Sequence, residues 1–322
     1  MNKSKKIFGV DISKDIFDVF DSSGNHNQYK NDAQGFSKFA KVLASDNLVV
    51  MEATGYYHYR LAQYLSHKGI NCAVVNPLSI KRFIQMKLAK VKTDKADAKA
   101  ICDYAMANDV PIYNPLDSVQ AECLQLFRLL EHYQKQLTAL KNKLHGEEVL
   151  GRPSKAVYHS LNRSKKHLQK EIKQLEAQVL ALVKEEYQHQ ITLLKSIPGL
   201  GIKTILFLIV VTQGFSKFEN SSQLCSYAGI TPTERSSGSS IRGRSRISKV
   251  GNKRLRNLLF MCSFTACRHN SACKKQYERI VNKGKSKKLA LLAVSNKLLK
   301  QAYAVVNSGI AYDAEYRSVL RA

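Results

Sequence analysis

The spacing of apolar residues changes near residue 118, and no other feature limits the possible folds of this chain so strongly. Before that point they come in short β-branched runs between turn residues: Ile7 to Ile12, Ile16 to Phe20, Leu48 to Met51 and Ala73 to Val75. From 118 to 187 they recur three and four apart, as Leu130, Tyr133, Leu137, Leu140 and Leu144, then as Leu168, Ile172, Leu175, Val179 and Leu182. Short β-branched runs build strands, whereas a three-four spacing builds helices with one apolar seam. One sheet or one bundle cannot satisfy both. At 322 residues the chain has room for separate cores. The reading is an α/β region over 1–115, an antiparallel coiled-coil hairpin over 116–190 turning at Gly151-Arg152-Pro153, and a mainly α region over 191–322.

Within the first region, Ile7 to Ile12 and Ile16 to Phe20 predict a hairpin, with a weaker third strand at Asn27 to Lys30. Helices are predicted over Ala33 to Leu43 and His58 to His67, with the strands Leu48 to Met51 and Ala73 to Val75 between and after them. Strands followed by helices place Asp11 and Glu52 at strand ends, where open α/β sheets carry their sites. The segment TDKADAKAICDYAMAN predicts a helix from Thr93 to about Asn108 with Thr93 as N-cap, so Asp94 and Asp97 share a face at i and i+3.

Charge points to the partner. Lys and Arg number 51 against 25 Asp and Glu, a net charge of +26, which calls for a polyanion. The excess is concentrated in residues 191–322, with 23 basic and 5 acidic side chains. An anionic membrane is disfavoured, because the longest apolar run, Ile205 to Val211, falls far short of the roughly 20 residues of a span. The N-terminus lacks the apolar core of a signal peptide, so a cytoplasmic, nucleoid-associated location is expected. Seven cysteines without a Cys-x-x-Cys pair read as reduced, buried thiols rather than as zinc ligands.

Two chemistries stand out against this background. Asp11, Glu52, Asp94 and Asp97 come from separated segments and supply the hard oxygen ligands that Mg²⁺ ions need in phosphoryl transfer. Asp103 is the substitute if one helical member is misplaced. Asp15 and Asp18 sit beside the hairpin, and Asp21, Asp32 and Asp46 fall in polar turns where acids are expected on the surface. The second chemistry is the stretch TPTERSSGSSIRGRSRISKVGNKRLR, with six serines and six arginines in 26 residues and bends at Gly238 and Gly243. On its own the stretch reads first as a phosphate-binding loop whose serines and arginines donate to the backbone without chemistry; the sharper reading makes one serine a nucleophile among guanidinium groups. Arg235, Arg242, Arg244, Arg246, Lys249, Lys253, Arg254 and Arg256 are the candidate DNA contacts, the last three opening an apolar helix over Leu255 to Ala266. Gly199, Gly201 and Lys203, in SIPGLGIK before an apolar helix, resemble a helix-hairpin-helix turn that approaches phosphate. A further cluster, Lys283, Lys285, Lys287 and Lys288, suits RNA or simply solvent, while Tyr56 and Tyr57 are expected to pack rather than to stack on bases.

Taken together, GVDISKDIFDV, VVMEATGYYH, KTDKADAKAI, SIPGLGIKT and YAGITPTERSSGSSIRGRSRISKVGNKRLR resemble the DEDD-type insertion-sequence transposases, the bridge-RNA-guided serine recombinases, over nearly the full length. The resemblance implies a ribonuclease-H-like (RuvC-like) N-terminal domain, a coiled-coil assembly region and a C-terminal transposase domain. It places Asp11, Glu52, Asp94 and Asp97 on the family's metal-binding tetrad and Ser237 on its catalytic serine, with Ser236 one residue away. It further implies donor and target DNA, a structured non-coding guide RNA, a covalent serine–DNA intermediate and assembly as a homo-oligomer, a dimer or a tetramer. Two alternatives stand beside it. One is a metal-dependent junction-resolving nuclease using water, and the other a non-catalytic nucleic-acid-binding regulator.

Overall fold

The computed structural model describes residues 6–315 except 54, 89–92, 152–153, 234–235, 238–240 and 243–245, with backbone alone for 236–237 and 241–242. It divides into two compact units, Met1–Leu116 and Asp117–Ala322.

The first unit is a five-stranded mixed sheet with helices on both faces. In chain order it contains β1 (Ile7–Ile12), β2 (Ile16–Asp21), β3 (His26–Lys30), α1 (Ala33–Ala40), β4 (Leu48–Glu52), α2 (His58–His67), β5 (Asn71–Val75), α3 (Pro77–Met86) and α4 (Asp94–Ala107). The sheet order is β3-β2-β1-β4-β5, antiparallel across β3, β2 and β1, and parallel across β1, β4 and β5. Because β1 and β4 are covered on both sides, their sequences are almost continuously apolar. Even-numbered β1 residues, Phe8, Val10 and Ile12, pack with Phe36 and Phe39 of α1 and Leu61 and Leu65 of α2. On the opposite face Ile7 and Val50 join Ile80 of α3 and Ile101, Cys102 and Ala105 of α4.

Each predicted element of this unit forms. The sequence reading passed over α3, although Asn76 N-caps it, accepting from the Leu78 N–H, and Pro77 stands at its first position. The predicted surface placement of Asp21 is corrected, since it is buried, as is Asp18 beside it in the hairpin. Asp21 closes the β2–β3 turn by accepting from the backbone N–H groups of Ser23 and Asn25 and pairs with Lys6 at 2.8 Å. Asp18 accepts from His26 Nε2 and Gln28 Nε2 on β3. Turn and cross-strand partners replace the water that a polar turn would have supplied.

The second unit is helical with small strand pairs: α5 (Ser118–Val149), α6 (Lys155–Lys195), α7 (Ile202–Thr212), α8 (Ser221–Ala228), β6 (Pro232–Thr233), β7 (Ser236–Ser237), β8 (Ile241–Arg242), β9 (Arg246–Ile247), α9 (Lys253–His269), α10 (Ser271–Asn282) and α11 (Lys287–Ser308). Helices α5 and α6 run antiparallel, Glu122 near the start of one meeting Gln178 late in the other. The predicted turn includes Arg152 and Pro153, which lie outside the described residues. Every predicted seam residue is buried or half-buried, with Leu130, Leu144, Ile172 and Val179 the deepest. Helix α7 is buried from Thr204 through Thr212 and forms the centre of one core shared by α5, α6, α8, α9 and α11. Length and composition alone would let α11 cross a membrane, yet Ala290, Leu291, Val294, Leu298, Leu299 and Ala302 are buried in that same core.

Candidate functional site

Asp11 and Glu52 are level neighbours. The parallel register that pairs Val10 with Met51 carries one residue further to this pair, and both side chains face α4 because they keep the alternation of Gly9 and Val50. Asp18 stands directly across β2 from Asp11 on the same face. Helix α4 brings its first turn to this face: Thr93 caps it by accepting from the Ala96 N–H, leaving Asp94 exposed and Asp97 half-buried. Burial, then the charges of Asp97, Asp94, Glu52 and Asp18, push the Asp11 carboxyl up from 3.8 to about 6. Burial and Asp97 push Glu52 up as well. Asp11 therefore feels the other three predicted carboxylates and Glu52 feels Asp97, which sequence spacing alone leaves open. Asp103 does not join them, being paired with Lys87 at 2.8 Å.

Gly9 makes this convergence possible, and the sequence reading missed it. A Cβ at residue 9 would lie 2.3 Å from both the carbonyl oxygen of Ala98 and the amide nitrogen of Cys102. The α4 backbone rests directly on β1, so Asp97, beside Ala98, is held over the strand that carries Asp11. The available signal was a glycine inside an otherwise β-branched strand, which marks close approach of another backbone.

The donor set is all carboxylate oxygen, the chemistry of a hard divalent cation. Among the described residues no three carboxyl, imidazole or thiol groups stand close enough to hold one ion together. Next to this face, Tyr56 and Tyr57 are 66% and 43% exposed, which corrects the expectation that they pack. They lie between the end of β4 and the start of α2, where the chain runs over the surface.

In the second unit, β6 pairs with β9 and β7 with β8, so Ser236 and Ser237 lie on a short ribbon, opposite Arg242 and Ile241. The predicted Arg235, Gly238, Gly243 and Arg244 lie outside the described residues. Arg246, Lys249 and Lys253 are exposed, whereas Arg256 donates to the Ala228 carbonyl at 2.9 Å. Arg254 is turned inward. Its guanidinium donates to the Phe127 carbonyl, lies over the Phe127 and Phe207 rings at 5.1 and 4.8 Å, and stands 3.6 Å from Glu131.

The turn before α7 is divided in the same way. Gly199 has φ +104° and a Cβ there would meet the Ala266 backbone at 2.7 Å, so this glycine packs the turn onto α9. Gly201 is exposed at the start of α7 with open space around it, and Lys203 is paired with Glu176 at 2.6 Å.

Residues 191–278 match the family described as Transposase IS116/IS110/IS902, and residues 8–150 match the IS110-type DEDD transposase domain. The chain is similar to the pilin gene-inverting protein of Moraxella bovis, 31% identical over 96% of this chain and 98% of that one. It is also similar to the transposase for insertion sequence element IS1111A of Coxiella burnetii, 27% identical over 83% of this chain and 79% of that one.

Proposed function

The chain belongs to the IS110-type DEDD transposases and is a DNA-acting transposase or recombinase, and from that premise we propose that it cuts and rejoins DNA through a covalent serine–phosphate bond with help from a divalent metal. The observation that carries this reading is the convergence of Asp11, Glu52, Asp94 and Asp97 on one face of a β3-β2-β1-β4-β5 sheet, a topology that suits a RuvC-like domain. Ser237 Oγ attacks a phosphodiester phosphorus, the Oγ–P bond forms, and the bridging P–O bond breaks with a proton passing to the departing deoxyribose oxygen. Rejoining reverses the step with the hydroxyl of a different strand, so the energy of the phosphodiester is conserved. Arg242, Arg244 and Arg246 would stabilise charge on the pentavalent phosphorus, while the carboxylates would hold Mg²⁺. A bound divalent cation would lower the charge of the scissile phosphate and of the leaving oxygen.

The partners in this reading are donor and target DNA, a structured non-coding guide RNA that selects both, and further copies of the chain in a dimer or tetramer, within the nucleoid. The full-length likeness to pilin gene-inverting proteins favours a second outcome of the same chemistry, inversion of a DNA segment, because inversion and insertion differ in how the sites are arranged and not in the bonds made. The deciding experiment incubates purified protein, Mg²⁺, guide RNA and element-end DNA, then digests with protease. A phosphoserine peptide at residue 237, absent from Ser237→Ala and retained by Ser236→Ala, supports the serine reading. Strand cleavage by Ser237→Ala without any adduct identifies a hydrolytic nuclease instead, and intact activity in Asp11→Ala and Glu52→Ala would remove the carboxylates from the mechanism.

A further inference from the structure

A cavity of about 960 Å³ opens in the second unit between α8, the β6–β9 pair, α9, α10 and the start of α11. Its rim carries Arg246, Lys249, Arg256, Lys288 and Lys300, and among the described residues no acidic side chain lines it. Its floor is apolar, built from Ile230, Ile247, Phe260 and Leu292. The amides of Asn257 and Asn296 also line it, and Thr231 Oγ1 is buried there with no hydrogen-bond partner among the described residues. An unsatisfied buried hydroxyl beside an apolar floor and a cationic rim calls for a ligand that is flat and apolar on its faces, polar on its edges, and anionic outside.

We propose that this cavity holds one unpaired nucleotide of the DNA strand handled by the serine ribbon, an inference that rests on the DNA-acting reading above. A duplex buries its base faces and presents phosphates and base edges, so the apolar floor has nothing to meet unless a base has left the stack. The size agrees, since cavities of roughly 300 to 1,000 Å³ enclose single small ligands. Placement agrees as well. Pro232 of β6 and Arg246 and Ile247 of β9 form one wall, and the chain between these strands carries Ser237. Ser237 lies four positions beyond Thr233, a reach of at most about 14 Å, which equals about four base-pair steps of ~3.4 Å along a duplex axis. A base lodged in the cavity would anchor the strand close to the phosphate under attack and keep the cut end in place. Lys288 and Lys300, of which only Lys288 belonged to a cluster conspicuous in the sequence, thereby join the DNA-contacting set.

The test uses the full-length wild-type protein and short oligonucleotides carrying 5-iododeoxyuridine, irradiated and mapped by peptide mass spectrometry. A single strand is expected to crosslink within α9 at Phe260, and the same sequence fully paired is not. Filling the cavity with Asn296→Trp is expected to weaken single-strand affinity by about tenfold or more, the worth of one stacked base, while duplex affinity stays within about twofold. Crosslinks elsewhere, or unchanged single-strand affinity in Asn296→Trp, overturn the proposal. Crosslinking of a 5-iodouridine RNA strand at Phe260 without the DNA strand would also overturn it, by assigning the cavity to RNA. Duplex binding and cleavage without the Phe260 crosslink sink this inference alone. A wild-type protein that binds no DNA at all sinks the DNA-acting reading together with it.

Discussion

Replacing Gly9 with alanine adds a single methyl group, and its cost follows from the contact between β1 and α4. The new Cβ would lie 2.3 Å from the Ala98 oxygen and the Cys102 nitrogen and 2.8 Å from the Cys102 Cα. Ordinary contact requires about 3.5 Å, so α4 must retreat by roughly 1 Å. The struck atoms are helix backbone, and no side chain can rotate aside. Overpacking of this kind costs about 1–3 kcal/mol, which lowers the melting temperature of a unit this small by roughly 4 to 15 °C. The functional loss should exceed the loss of stability. Asp97 moves with Ala98 away from Asp11, and under the proposed role of these carboxylates a misplacement of about 1 Å can cost on the order of a hundredfold in rate. Thermal unfolding and Mg²⁺-dependent cleavage of element-end DNA would be compared for wild type, Gly9→Ala and the double variant Gly9→Ala/Cys102→Ala. Because the clash is with backbone, trimming Cys102 should rescue neither readout. Melting within about 1 °C of wild type and cleavage within about twofold in Gly9→Ala would refute the close approach and the positioning argued from it.

Other substitutions separate packing from chemistry. In Asp21, burial works against ionisation, but hydrogen bonds from Lys6 and Asn25 outweigh it and hold the carboxyl near 2 instead of 3.8. That difference is worth about 2 kcal/mol, fully present above pH ~4 and lost as pH falls toward 2. Acid unfolding of Asp21→Asn should therefore be flatter than wild type over that interval, with lower stability at pH 7. Arg254→Met, which removes the bond to the Phe127 carbonyl and the stacking on two rings, should lower stability by about 1–3 kcal/mol in denaturant titration. The neighbouring Lys253→Ala should leave stability within about 0.5 kcal/mol and, if this exposed lysine meets one phosphate, reduce the slope of log affinity against log salt by about 0.9. Asn252→Ala removes the side-chain cap that accepts from the Leu255 N–H and should cost about 1 kcal/mol in thermal unfolding.

How much of the fold could be read in advance depended on whether its cause was local. The β1–β2 hairpin, the Thr93 cap of α4 and the separate helices α5 and α6 are each set by neighbours a few residues apart in the chain, and each forms where the spacing placed it. Helix α3 carries its own start signal in Asn76-Pro77, while the apolar face it buries is short, Ile80 and Phe83. Arg254 gave no such warning. In the sequence it is one cation among several, and only the packing of α9 against α5 and α7 turns it onto Phe127 and Phe207.

For the site, the sequence by itself determined which groups are chemically available: four carboxylates on separate segments, a serine pair among arginines, and an excess of positive charge toward the C-terminus. Residue type and charge belong to the chain and survive any fold. Tertiary structure alone decided that Asp11, Glu52 and Asp97 share one face, that Gly9 lets α4 rest on β1, and that Lys300 and Phe260 meet at one cavity. Those relations join residues tens of positions apart, and they exist only because burying the apolar faces of strands and helices forces particular backbones into contact.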